Sequence, residues 1–113
     1  MQARGRRAED LAATFLEAQG LAVLARNYRC RFGEIDLIAR DAGAVVFVEV
    51  RMRASRAFGG AAASITAAKR DKLLRTARHY LAALDRMPAC RFDAVLIEGD
   101  TQTPVWLKNV FGE

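Results

Sequence analysis

The stretch Gly33–Met52, GEIDLIARDAGAVVFVEVRM, decides how the rest of the chain is read. Its first part, Gly33 to Arg40, alternates apolar and polar residues early. Its last part, Ala44 to Met52, is rich in Val and carries Phe47. Asp41, Ala42 and Gly43 between them are turn formers, so the two parts read as a β-hairpin. Opposed residues in an antiparallel pair have numbers that sum to a constant. A two-residue loop at Ala42-Gly43, or a four-residue loop Asp41 to Ala44, gives 85. That register sets Asp36 opposite Glu49 and Glu34 opposite Arg51. Directly opposed side chains have Cβ atoms roughly 4.5–5.5 Å apart. An odd loop would instead send the two acids to opposite faces.

The even register places Ile35, Leu37, Val46, Val48 and Val50 on one face and Glu34, Asp36, Glu49 and Arg51 on the other. Facing carboxylates repel, and a hard divalent cation such as Mg²⁺ or Mn²⁺ relieves that repulsion through the oxygen ligands it prefers. The alternative is the solvated face of a hairpin, with Glu34–Arg51 as a surface pair of little energetic worth. Phe47 shares the acidic face, so both faces are partly covered. Carboxylates at the edge of a core are costly unless they bind something.

Outward from the hairpin, Arg7 to Gln19 carries apolar residues at helical spacing and ends at Gly20. Leu21 to Tyr28 reads as a strand, and Arg53 to Ala61 as a loop containing Phe58-Gly59-Gly60. Ser64 or Thr66 caps a helix running to about Leu84, with Leu73, Leu74, Ala77, Tyr80 and Leu81 on its apolar side. Arg91 to Glu98 is a fourth strand and Val105 to Val110 a fifth. The order α-β-β-β-α-β-β specifies a single α/β domain over 1–113, a mixed central sheet flanked by helices.

The 113 residues are 52% hydrophobic, enough for one buried core. The net charge of +5 favours a polyanionic partner, nucleic acid before an acidic membrane surface, although the Arg-rich, Lys-poor balance also suits a GC-rich genome. Arg53, Arg56, Lys69, Arg70, Lys72 and Arg75 follow the acidic pair. They suit phosphate contacts, or equally a solvated helix face. Cys30, Cys90 and the lone His79 do not supply the pattern of a structural zinc site. The N-terminal stretch has no apolar region of a signal peptide, and no run approaches a membrane span. The expectation is a cytoplasmic protein with reduced thiols and no membrane partner. His79 reads as an ordinary helix residue, Trp106 as core or interface, and Asp93 as a structural ion-pair partner near Arg91.

The ordered set of GEIDLIARD, FVEVRMR, Lys69 and RFD at Arg91 to Asp93, with Ala8-Glu9-Asp10 and RNYR at Arg26 to Arg29, resembles the YraN-like family of small bacterial proteins. That family resembles the PD-(D/E)XK nuclease superfamily, with the restriction-endonuclease-like α-β-β-β-α-β core also seen in Holliday junction resolvases. The resemblance implies a metal-dependent nuclease, with DNA as the expected substrate and a homodimer as one possible assembly. It implies Asp36 and Glu49 as metal ligands with the Val50 carbonyl as a third, and Mg²⁺ or Mn²⁺ as the cofactor. Arg51 stands where the motif has Lys, Glu9 matches an acidic residue that often completes such sites, and Lys69 approaches the site from the second helix. Arg51 is a departure: guanidinium stabilises charge on phosphate but essentially never releases a proton, so it is no general base. Two further readings follow, a nucleic-acid-binding module with a degenerate site and an interaction protein that uses the fold as a scaffold.

Overall fold

The computed structural model describes residues 3–53, 66–98 and 103–111. Helix α1 spans Ala3–Ala18, followed by β1 (Ala22–Cys30), β2 (Gly33–Asp41), β3 (Ala44–Arg53), α2 (Ala67–Leu81), β4 (Cys90–Glu98) and β5 (Pro104–Leu107). The expected α-β-β-β-α-β core is present, with β5 added at one edge. The sheet order is β1-β2-β3-β4-β5. β3 and β4 are parallel, joined through α2, and the other neighbours are antiparallel. A parallel pair needs such a long crossover connection, whereas the antiparallel pairs close through short turns.

Two helices cover opposite faces of the sheet. Ala8, Ala12, Ala13 and Leu16 of α1 pack on Leu37, Ala39, Val46, Val48, Val50, Val95 and Ile97. Leu73, Ala77 and Leu81 of α2 pack on Ile35, Ile38, Val45 and Phe47. Both faces of β3 are therefore buried, which is why its sequence is a nearly continuous apolar run. Each helix is closed by a local device. Gly20, at φ +97°, lets Leu21 N–H reach the Leu16 carbonyl at 3.1 Å while its own N–H reaches Glu17 at 3.0 Å. At the start of α2 it is Thr66 that caps, its Oγ1 accepting the Lys69 N–H at 3.2 Å.

The hairpin takes the even register. Asp41 pairs with Ala44, Ile38 with Phe47 and Leu37 with Val48, around a two-residue turn in which Ala42 has φ +56°. Two expectations need correction. Ile35 does not share the face of Leu37 and Val48; it packs under α2 with Ile38. The alternation is interrupted at Asp36, opposite a matching interruption in β1, where Asn27 sits at φ +53° between Arg26↔Leu37 and Tyr28↔Ile35. Strand alternation cannot survive a residue of that backbone geometry, so side chains beyond it change faces. Second, the Glu34–Arg51 pair does not form: Glu34 is bound to Arg29, Nε to Oε1 at 2.9 Å. In addition α2 stops at Leu81 rather than near Leu84, and the fifth strand is shorter than Val105 to Val110.

Candidate active site

The ladder between β2 and β3 runs from the turn to Leu37↔Val48 and ends there. Asp36 and Glu49 are the next residues in line. At this point Asp36 turns its carboxylate into the gap, where Oδ2 accepts the Val50 N–H at 2.8 Å. A side-chain oxygen thus replaces the backbone acceptor that a continued ladder would provide, and the two strands part around it. Phe47 lies under α2 and Val48 and Val50 under α1, so alternation places Glu49 and Arg51 on the α2 side.

Both acids are withdrawn from water, with side chains 14% (Asp36) and 11% (Glu49) exposed. Burial raises the Asp36 pKa. The Val50 N–H and Arg51 oppose that shift, while the charges of Glu9 and Glu34 add to it. Burial pushes Glu49 up to about 7, with the Asp36 charge next in weight and Arg51 opposing. Shifts of this cause and sign arise where carboxylates are withdrawn from water beside a like charge, in functional sites and in buried ion-pair networks.

Arg51 lies at the centre of the group. Its Nη1 is 3.1 Å from Glu49 Oε1, 3.9 Å from Asp36 Oδ2 and 3.2 Å from the Val50 carbonyl, to which it donates. These are the three groups expected to hold a metal, and they converge on one cationic nitrogen. Two carboxylates and a carbonyl form an all-oxygen donor set, which in type fits a hard divalent cation once the guanidinium moves aside. Among the described residues no three His, Cys, Asp or Glu side chains cluster as a metal site; beside the two carboxylates the third oxygen at this point is the Val50 carbonyl.

The other expected residues are spread around this point. Glu9 accepts from Asn27 Nδ2 at 2.9 Å, which fixes α1 to the interruption in β1, and its charge reaches Asp36. The neighbouring Asp10 pairs with Arg26. Lys69 sits exposed in the first turn of α2, with no ion pair to Asp36 or Glu49 among the described residues. Lys72 and Arg75 are exposed on the same helix, and Arg70 places its guanidinium 5.1 Å over the Phe111 ring. Arg53 ends β3. Its side chain, together with Arg56, Phe58-Gly59-Gly60 and Ser64, lies outside the described residues.

Away from the pair, Asp93 is fully buried and fully occupied. Arg91 Nε donates to its two oxygens at 3.0 and 3.1 Å, Trp106 Nε1 to Oδ2 at 2.9 Å and Asn109 N–H to Oδ1 at 2.9 Å. It is a structural anchor, and Trp106 packs edge-on to Phe15. Sequence reasoning gave no role to Tyr28 and Phe32, which gather with His79 beside α2. Tyr28, inside RNYR, and Phe32, at the turn, are visible as aromatics, but no local spacing brings them to His79. Cys30 and Cys90 are free thiols. Among the described residues no helix is long and apolar enough to cross a membrane.

Residues 8–97 match the model of a family described as uncharacterised protein family UPF0102. Two UPF0102 proteins of Nitrosomonas europaea are 60% and 58% identical, each alignment covering 97% of this chain and 94% of the relative. A UPF0102 protein of Methylobacillus flagellatus is 54% identical over 98% of both chains.

Proposed function

The chain belongs to the UPF0102 family, the YraN-like proteins, and from that premise we propose that it is a metal-dependent nuclease of the PD-(D/E)XK type acting on DNA phosphodiester bonds. One observation carries the reading: two buried carboxylates from adjacent strands and the Val50 carbonyl surround a single cation position. A bound Mg²⁺ or Mn²⁺ supplies Lewis-acid charge at the phosphate and the means to activate water at neutral pH. Asp36, Glu49 and the Val50 carbonyl hold it. Arg51, displaced outward, binds the phosphate oxygens and stabilises the charge that builds on them. The Glu9 charge on α1 adds to the upward shift of the Asp36 pKa, and Lys69, Lys72 and Arg75 line the approach of the backbone. The protein works in the cytoplasm, where its thiols stay reduced.

The test is cleavage of single-stranded, flapped and branched DNA with Mn²⁺, with Asp36→Ala and chelator as controls. Cleavage that survives both comes from elsewhere and ends this reading. A second reading is favoured by the position of Arg51, whose guanidinium already takes the three oxygens. In that case the fold binds nucleic acid and the site is arrested. Arg51→Lys separates the two: cleavage that appears only in the Lys variant assigns the native chain to the arrested class.

A further inference from the structure

The turn between β1 and β2 carries Arg31 and Phe32 and is pressed against α2. A Cβ at Gly33 would lie 3.3 Å from Thr76 Oγ1 and 3.8 Å from Lys72 Cβ, a tight but not closed approach, and its φ of +147° is one that favours glycine. Thr76 is itself fixed, with Oγ1 donating to the Lys72 carbonyl at 2.8 Å. The contact brings Phe32 beside His79, with ring centroids 6.2 Å apart at 67°. His79 Nδ1 is hydrogen-bonded to the Tyr28 hydroxyl at 2.6 Å, and Tyr28 meets Tyr80 edge-on at 5.3 Å. Tyr80 in turn contacts the buried Phe47. A chain of rings therefore runs from the core to the surface and holds the outermost ones in place.

The setting is cationic. Arg31 places its guanidinium 5.0 Å over the Phe32 ring, and Lys72 and Arg75 are exposed on the facing part of α2. A half-exposed ring set among cations suits the base and phosphate of an unpaired nucleotide, because every base has a π-face and every nucleotide a charge. The turn also lies close to the acidic pair. From Gly33 to Asp36 is three residues of strand, about 10 Å, and Tyr28, Ile35 and Phe47 belong to the face that carries Glu49.

We infer that Phe32, framed by His79 and Arg31, is a stacking site for an unpaired base of the strand whose phosphate enters the Asp36–Glu49 site. The base takes the face now covered by Arg31, and the released guanidinium turns to the neighbouring phosphate. This rests on the proposed function and narrows it: the substrate has a single-stranded segment next to the scissile bond, rather than being uniform duplex.

The experiment compares a single-stranded oligonucleotide containing one 2-aminopurine with a duplex of equal length, at one fixed salt concentration and with chelator present. The wild-type protein is expected to quench the 2-aminopurine and to favour the single strand. Phe32→Ala should lose about 10-fold in single-strand affinity, keep its duplex affinity and abolish the quenching, while Phe32→Tyr restores both. Because Phe32→Ala removes packing at the turn, Arg31→Gln is measured beside it and should lower single-strand affinity with Phe32 intact. Wild-type protein that binds neither form overturns this inference and the proposed function together. Binding with the same preference and quenching in Phe32→Ala overturns this inference alone. Sedimentation showing that Phe32→Ala dissociates a dimer would also overturn it, by making the ring a contact between copies.

Discussion

The carboxylate of Asp36 accepts the backbone N–H of Val50 at 2.8 Å, across a strand pair whose ladder has just ended. The acid is thus part of the sheet's own hydrogen bonding as well as the candidate site. The two roles are separable by substitution. Asp36→Asn keeps an oxygen for the Val50 N–H and removes a buried charge. We expect a melting temperature equal to or above that of the parent, with Mn²⁺-dependent cleavage down by about 100-fold or more. Thermal melts and a cleavage assay on one preparation check both halves.

Glu49 gives stability a pH dependence of definite sign. Burial pushes its carboxyl from the ordinary 4.5 up to about 7 in the fold. The native state therefore holds the proton more tightly than the unfolded state. The resulting stabilisation is complete below about 4.5 and is lost as pH rises through 7. The loss is on the order of 3 kcal/mol. Glu49→Gln should remove this slope, so that it is more stable than the parent at pH 8 and nearly equal at pH 5. Denaturant titrations at the two pH values read the difference.

Arg51 is the main cation opposing the upward shift of Glu49. Arg51→Gln should push the Glu49 pKa above about 7, and a carboxyl-carbon NMR titration follows it directly. A Glu49 pKa that stays put in the variant would mean that the guanidinium spends its time elsewhere.

Asp93 binds Arg91, Trp106 and the Asn109 N–H at once, with its side chain 0% exposed. Asp93→Ala leaves Arg91 Nε, Trp106 Nε1 and the Asn109 N–H without their acceptor, while the Arg91 guanidinium keeps Asp41 at 3.0 Å. The expected cost is about 3 kcal/mol, that of unsatisfied buried donors, read by equilibrium unfolding, with earlier proteolysis of the segment after residue 103.

The hairpin and its register were legible because they depend on local quantities: turn formers at 41–43, a run of Val, and an even loop length. The same arithmetic set Asp36 opposite Glu49; the ladder stops one pair short of them, and the two acids meet around Arg51 instead. It failed at Ile35, because period-two alternation assumes an uninterrupted strand. The positive φ of Asn27 and the inward turn of Asp36 break the pleat in a way no spacing rule records. The opposition of Glu34 and Arg51 that the same register gave, read as a surface pair only in the solvated-face alternative, fails there too, with Glu34 held by Arg29. The Asp93 anchor was only half visible. Arg91 is two residues away, but Trp106 and Asn109 reach Asp93 through the pairing of β4 with β5, a long-range event. Tyr28, Phe32 and His79 meet through a helix-to-turn contact beside one glycine, so their grouping had no local signal.

The interruption at Asn27 also bears on what the sheet refuses to do. β1 is an outer strand, and its rim carries a residue at φ +53° and a register shift between Val23 and Ala25, beside the cations Arg26 and Arg29. The opposite rim is only four residues long and opens with Pro104, which has no N–H to offer. A newcomer strand would meet a kink at one border and a stub at the other, so the sheet is protected against growing from molecule to molecule into a fibre.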